Sequence, residues 1–408
     1  MILKLNRNWL PEKKNDLIIK YVLFLFSPFL AAVYSIRRLN TKSSFLVLFL
    51  FGALFGIALT VHSDVIQDDS GWYREVFEYY KFVSKIEYLS GLERFLAGDI
   101  KDYFFETIAF FVSRFTENYH FFFLAIATIF SYFSLKSLRF IVREKEFSFS
   151  IVSTILLYMF LKVSILEING VRYWTAYWIA TYCIFQIFVN KNRFYYLLVL
   201  ITPFFHGTYW VLIGMLVLIE ITKRFEKPWI LLFFISFFIS SFASELLQGL
   251  QQYLPAGLSR SVDSYVSEEL MLEREGWSGY GWIPTYFNIL IKVYLSLIVV
   301  LFIKNIDLIK DDIRTRDLFS VLLIWATVFN VFSVIPSLGI RNFQFVYPMI
   351  SYIWLINYQK MKYRKIIYLA PFLFSWDILV NIPIRFLKYI DFSFFYTSPL
   401  LTVYKYLV

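Results

Sequence analysis

Arg172 and His206 sit within residues 164–209, a stretch rich in apolar and aromatic side chains. Ionisable groups at membrane depth are costly, so a function is the default expectation for Arg172 and His206. Arg172 follows Gly170 and Val171 at the head of an aromatic run, and His206 follows Pro203, which breaks a helix that reaches it. The same pattern returns at Gly339-Ile340-Arg341, again with an aromatic within two places of the arginine. Glycine permits close backbone approach, a helix N-terminus favours anions, and the guanidinium fork matches phosphate oxygens. Two such arginines on one face would grip a pyrophosphate from both sides. His206 beside them would accept a proton or position a sugar hydroxyl.

Other residues extend this chemistry. Asp68, Asp69, Trp72 and Tyr73 suit sugar handling, because carboxylates accept hydroxyl hydrogen bonds and aromatic faces stack on pyranose rings. Glu106 lies in an apolar segment that would raise its pKa and make it an acid or base. Glu167, five residues before Arg172, is a further candidate for binding or for pairing with an arginine. Arg260, in a second long loop, is carried as a substrate-binding candidate beside the simpler structural reading that it shares with His62, His120 and Arg274. Each site candidate has a plain alternative: the arginines reach for lipid headgroups, His206 bonds a carbonyl freed by Pro203, and the loop acids are solvated.

The elements that position these groups follow from composition. The 408 residues are 59% hydrophobic, 22% aromatic and only 17% charged, outside the range of soluble globular chains. This is the composition of an all-α polytopic integral membrane protein. Apolar runs near 17–35, 44–62, 118–138, 147–166, 173–189, 228–243, 286–303, 318–334, 343–358 and 366–382, with a weaker one near 390–407, predict spanning helices. Together with a broken pair they give about 11–13 membrane helices in a single domain, residues 1–408. The net charge of +10 does not indicate nucleic acid. The loops 36–42, 134–146, 190–193, 220–227, 304–317 and 359–365 hold 20 Lys and Arg in 53 residues, against 10 in 113 for 63–117, 166–172, 244–285 and 334–342. That asymmetry places the first group in the cytoplasm. No cleavable leader is expected, since the first apolar run lacks a small-residue cleavage site.

Residues 194–219 are too few for two full spans between two basic loops, and one straight span would put those loops on opposite sides of the membrane. A pair of short helices broken around Thr202, Pro203 and His206 returns both loops to one side, and such breaks persist where they line a wet cavity or lie within protein. Two extracytoplasmic loops are long, 63–117 and 244–285. Within them, 102–116 is expected as a short interfacial helix and 258–275 as an amphipathic one.

Cys183 is the only cysteine, and the three histidines lack metal-ligand spacing, so neither a disulfide framework nor a metal cluster is expected. Paired arginines, a histidine and carboxylates on an outer face, with no nucleotide motif, point to a lipid-phosphate-linked substrate and no cofactor. Nucleotide sugars stay in the cytoplasm, so an outward-facing glycosyltransferase must use a polyprenyl-linked donor. Three rivals stand beside it: an O-antigen ligase with the same donor, a flippase or transporter for lipid-linked oligosaccharides, and a membrane acyltransferase using His206. Inverted repeats would mark a transporter, and the Gly-x-Arg echo has one orientation in both copies. An acyltransferase would want a polar partner beyond Thr208 and Tyr209 after the histidine.

The order of motifs carries a family resemblance. Asp69-x-x-x-Tyr73, then Tyr103-Phe104-Phe105-Glu106, then Asn118-Tyr119-His120-Phe121-Phe122-Phe123, Gly170-Val171-Arg172 with Ala176, Phe205-His206, and a late Arg341 with Tyr347 resemble the EpsG branch of Wzy-type polysaccharide polymerases. The chain departs from that pattern at Tyr173, where glutamine is common, and at Gly207-Thr208. The resemblance implies a metal-independent, inverting transfer of a growing glycan from undecaprenyl pyrophosphate onto a fresh lipid-linked repeat, as in O-antigen, capsule or exopolysaccharide synthesis. It implies a multi-pass protein of the bacterial inner membrane with its site facing the periplasm, among membrane lipids and with room for a chain-length regulator as partner. In that setting Arg172 and Arg341 would stabilise the departing pyrophosphate, and Glu106, Asp69 or His206 would take the acceptor proton. Asp68, Trp72, Tyr73, Glu167, Tyr173, Arg260 and Tyr347 would bind substrate.

Overall fold

The computed structural model describes residues 9–61, 69–167, 170–223, 225–239, 242–253, 255, 259, 282–334, 339, 341–359 and 362–407. Apart from one antiparallel bridge, Leu59 to Ile390, their regular structure is helical. Apolar segments leave no water for backbone groups, and a helix satisfies each N–H and C=O within the segment. The helices Tyr119–Val142 and Trp282–Lys304 are long and apolar enough to cross a membrane, and the pair Tyr363–Leu373 and Asp377–Tyr389, bent by 40°, makes a third if it is one span.

The other expected spans are shorter, interrupted or less apolar helices, among them the continuous Val171–Phe188 and Ile313–Val331 of 18 and 19 residues. The run 17–35 breaks at Ser27, which is extended (φ −152°) and accepts a hydrogen bond from the Leu30 N–H. Pro28 has no N–H to continue the preceding helix and starts a new one, Pro28–Ile36. The run 366–382 is divided by the bend, with a π-helical turn at Asp377–Asn381.

The Lys42–Ile57 helix lies closely along Tyr119–Val142. A Cβ on Gly56 would sit 2.3 Å from the Ala127 Cβ, and one on Gly52 would sit 2.2 Å from the Ser131 Oγ. The two glycines are four residues apart, as are Ala127 and Ser131. Small residues thus line both sides of the contact and let dispersion replace the missing hydrophobic drive.

One end of the bundle is ionic. Arg314 bonds Glu144 at 2.7 Å, Glu146 at 3.0 Å and Asp312 at 2.6 Å, and Lys191 meets Asp317 at 2.7 Å. Lys310 pairs with Glu226, and Arg143 donates to Asn190 at 2.8 Å. Four basic loops read as cytoplasmic therefore meet in space. The broken pair is present as Tyr195–Val199 and Thr202–Phe205 on one arm and Tyr209–Thr222 on the other. The Tyr196 hydroxyl donates to Glu220 at 2.5 Å, so the far ends of the two arms touch and His206 marks the apex.

The described part of the stretch 63–117 is more helical than a loop. Asp69–Tyr80 and Lys85–Leu96 precede the expected short helix, which spans Phe104–Val112. Ser84 and Glu87 form a capping box, a local start signal that composition alone hides. In the second long loop Ala243–Gln251 is helical, and the expected amphipathic helix over 258–275 lies outside the described residues but for Ser259.

Candidate functional site

Three segments converge at the apex of the broken pair. Tyr103 donates its backbone N–H to Phe204 O at 3.1 Å, and the Phe104 and Phe205 rings stack with centroids 3.7 Å apart. The start of the Phe104–Val112 helix is thus pinned to the turn that carries His206. His206 is extended (φ −158°) because it ends the Thr202–Phe205 turn, to whose Thr202 carbonyl its N–H donates. The third segment is the N-terminus of Val171–Phe188, with Gly170 as the capping residue. A Cβ at Gly170 would lie 2.7 Å from the Trp174 Nε1, so glycine lets that indole fold back over the helix start.

Asp102 ties these pieces together. One of its oxygens accepts from Arg172 Nη1 at 2.7 Å and the other from the Gly207 N–H at 3.3 Å. The guanidinium lies in an aromatic box, its carbon 5.0 Å from the Trp72 ring centre, 5.7 Å from Tyr73 and 5.9 Å from Phe105. Cation–π contacts of this kind hold a desolvated guanidinium in place. Its Nε is buried with no hydrogen-bond partner, which leaves a charged donor for an incoming acceptor.

Tyr173 is the hub for the rest. Its ring meets His206 edge-on at 5.3 Å, its hydroxyl donates to Asn342 Oδ1 at 3.1 Å, and its carbonyl accepts from the Tyr209 hydroxyl at 2.8 Å. Arg341 stands over the same ring at 5.8 Å, and no carboxylate pairs with it among the described residues. Trp325 Nε1 donates to Asn342 O at 2.8 Å and the Tyr177 hydroxyl to Gln344 O at 3.2 Å, fixing the turn behind Arg341. The charges of Arg172, Arg341 and Lys101 all act on His206. Its Nδ1 accepts from the Thr208 N–H at 3.3 Å, which puts the proton of a neutral imidazole on Nε2, as a donor.

Glu106 stands in the first turn of its helix, within the fields of Asp102 and Arg172. Its Oε2 is buried without a partner. Burial pushes its carboxyl up to about 7, its own backbone N–H and Arg172 pulling the other way and Asp102 adding to the rise. The arrangement supplies two guanidinium groups, a neutral imidazole donor and a carboxyl poised near neutrality. Those are the parts needed to hold a developing phosphate charge and take a proton beside it.

The structure brings Arg172, Arg341, His206, Tyr173, Glu106, Trp72 and Tyr73 together. Tyr347 lies apart, buried in the wall of a separate cavity with Gly339 and Gln344. Glu167 is paired with Arg385, not Arg172. Asp69 opens its helix but its side chain, like Asp68, His62, Arg260 and Arg274, lies outside the described residues. His120 packs between Tyr119 and Tyr406. Sequence reasoning passed over Asp102, Tyr209 and Asn342. Asp102 alone had a mark, a carboxylate standing directly before the quoted Tyr103-Phe104-Phe105-Glu106.

A protein-family model described as the EpsG family matches residues 43–391, a span that holds every one of these site residues. No curated protein and no solved structure matches the chain.

Proposed function

Since the chain belongs to the EpsG family, we propose that it is a membrane glycosyltransferase that joins polyprenyl-diphosphate-linked repeat units into a polysaccharide on the outer face of the membrane. The observation that carries this reading is Arg341 over the Tyr173 ring with His206 against the same ring, the charges of Arg341 and Arg172 both acting on that histidine. Two guanidinium groups with open donors suit a diphosphate leaving group, whose charge grows as the glycosidic bond breaks.

In the transfer, Glu106 takes the proton from the acceptor sugar hydroxyl. The freed oxygen attacks the anomeric carbon of the donor glycan from the face opposite the diphosphate. The carbon–oxygen bond to the diphosphate breaks, and the electron pair leaves with the lipid diphosphate. Arg172 and Arg341 neutralise that charge while His206 Nε2–H donates to one of its oxygens. Asp102 keeps Arg172 aimed, the buried Tyr73 backs the guanidinium, and Trp72, exposed at its edge of the box, offers a ring face to the sugars. The donor is an undecaprenyl-diphosphate glycan and the acceptor a single lipid-linked repeat, and the site opens to the periplasm of the inner membrane.

The test is reconstitution. Purified protein in vesicles, given one defined prenyl-diphosphate-linked repeat, is expected to yield a ladder of products differing by whole repeats. Failure to extend the repeat, with transfer only to an added lipid A core, would instead identify a ligase. Movement of the repeat across the bilayer without bond formation would identify a transporter.

A further inference from the structure

A second cationic cavity lies beside the first site and is used by none of the steps above. Its floor is Lys292, ten residues into the membrane-length helix Trp282–Lys304. At 1.5 Å per residue that is about 15 Å from the helix start, near the middle of an otherwise apolar span. An ammonium at such depth is expensive and marks a function by default. Its polar contact is the Ser333 hydroxyl, which in turn donates to Asn330 O at 2.7 Å, and no carboxylate pairs with it among the described residues. Lys292 therefore keeps donors to spare.

The walls are suited to an anion. Asn288 is four residues before Lys292, on the same face of the helix, and both it and Gln344 line the cavity with amide side chains. Gln344 Oε1 is buried and unpartnered, and rotation of the amide would present its NH2 instead. Gly339 completes the wall. A Cβ there would fall 2.3 Å from Phe332 O and 2.6 Å from the Ser333 Cα, so only glycine lets the backbone at 339 press onto the turn that seats Ser333. The cavity measures about 60 Å³, enough for a few waters or a phosphoryl group.

We propose that the Lys292 cavity is a phosphoryl-binding site for a lipid-borne phosphate, separate from the Arg172 and Arg341 site. The proposal rests on the polymerase reading for one of two sources. A polymerase must hold two lipid-diphosphate substrates at once, and the diphosphate of the acceptor needs a cation other than those that stabilise the leaving group. The alternative source of the same chemistry is the phosphate of a bilayer phospholipid.

Equilibrium binding of radiolabelled geranylgeranyl diphosphate to the purified full-length protein in neutral detergent tests this. The wild type is expected to bind two equivalents. Lys292→Gln should bind one, its second weakened at least about tenfold by loss of the charged donor, and Lys292→Arg should keep both. Should Lys292→Gln fold poorly, Asn288→Asp sets a carboxylate in the wall and is expected to expel the same equivalent. Two equivalents retained by both Lys292→Gln and Asn288→Asp would overturn the proposal. Excess phosphatidylglycerol that displaces the Lys292-dependent equivalent assigns the site to bilayer lipid, and failure to displace it assigns it to the prenyl-linked substrate; either upholds the phosphoryl site. If no ladder forms in reconstitution but the Lys292-dependent equivalent persists, the polymerase reading fails and the cavity stands.

Discussion

Asp102 holds Arg172 from seventy residues away, with Oδ1 2.7 Å from Nη1, while its other oxygen takes the Gly207 N–H. The carboxylate side chain is 3% exposed and the guanidinium 17%, so the pair is desolvated and its halves are unequal to lose. Asp102→Ala strands a buried cation and frees the His206 turn, at a cost of about 3–5 kcal/mol. Asp102→Asn keeps an acceptor for Gly207 and should cost less. Thermal unfolding in detergent checks both. The double variant Asp102→Ala with Arg172→Ala should be less destabilised than the sum of the single losses, since no charge is then left alone.

Glu106 gives a pH dependence with a definite sign. Its folded pKa of about 7 stands above the ordinary 4.5 because the carboxyl is buried. The native state therefore holds this proton more tightly than the unfolded chain, and stability from this group falls as pH rises from 4.5 towards 7. Activity runs the other way, because only the carboxylate takes a proton, so the rate should climb through pH 7 and level off above it. Glu106→Gln should melt higher than wild type at pH 8, lose about 100-fold or more in rate above pH 7, and show a deficit that shrinks as pH falls. An unchanged pH profile in an active Glu106→Gln would remove it as the base.

Much of the site was legible because ionisable residues are conspicuous against apolar sequence. Arg172, Arg341 and His206 stood out for that reason, and Pro203 announced the break that His206 occupies. Asp102 did not stand out, since it lies in a stretch already rich in acids, and its value comes from a contact seventy residues away. Tyr209 and Asn342 were hidden in the same way, one aromatic among many and one amide at the start of an apolar run. The spans were only partly legible. Hydropathy registers the apolar run at 17–35 but not the Ser27-Pro28 break within it. The helices Asp69–Tyr80 and Lys85–Leu96 were hidden by charge, because a polar helix has no hydropathy signal of its own.

The fold-back at His206 makes a topological prediction. Tyr196 and Glu220, at opposite ends of the broken pair, share a 2.5 Å hydrogen bond. Single cysteines at Lys191→Cys and Lys223→Cys, in a Cys183→Ala background, should therefore meet a membrane-impermeant maleimide from the same side. Labelling from opposite sides would mean one straight span, with the two loops apart.

The Gly52 and Gly56 contact predicts a packing defect. Gly56→Ala would drive a methyl to 2.3 Å from the Ala127 Cβ and 2.6 Å from the Phe123 carbonyl, which is backbone and cannot step aside. Overpacking of this kind costs about 1–3 kcal/mol. A lowered melting temperature in detergent is expected, whereas Gly214→Ala, with open space around it, should melt like the wild type.

The central claim is that Arg172 and Arg341, 169 residues apart as their neighbours Tyr173 and Asn342 are, serve one leaving group. The most direct measurement is the product ladder made by purified Arg172→Ala, Arg341→Ala and the double variant from a defined prenyl-diphosphate-linked repeat. Each single variant is expected to lose about 100-fold or more in rate and leave single repeats, and the double variant to be little worse, because groups acting on one charge fail together. A normal ladder from either single variant would contradict the account.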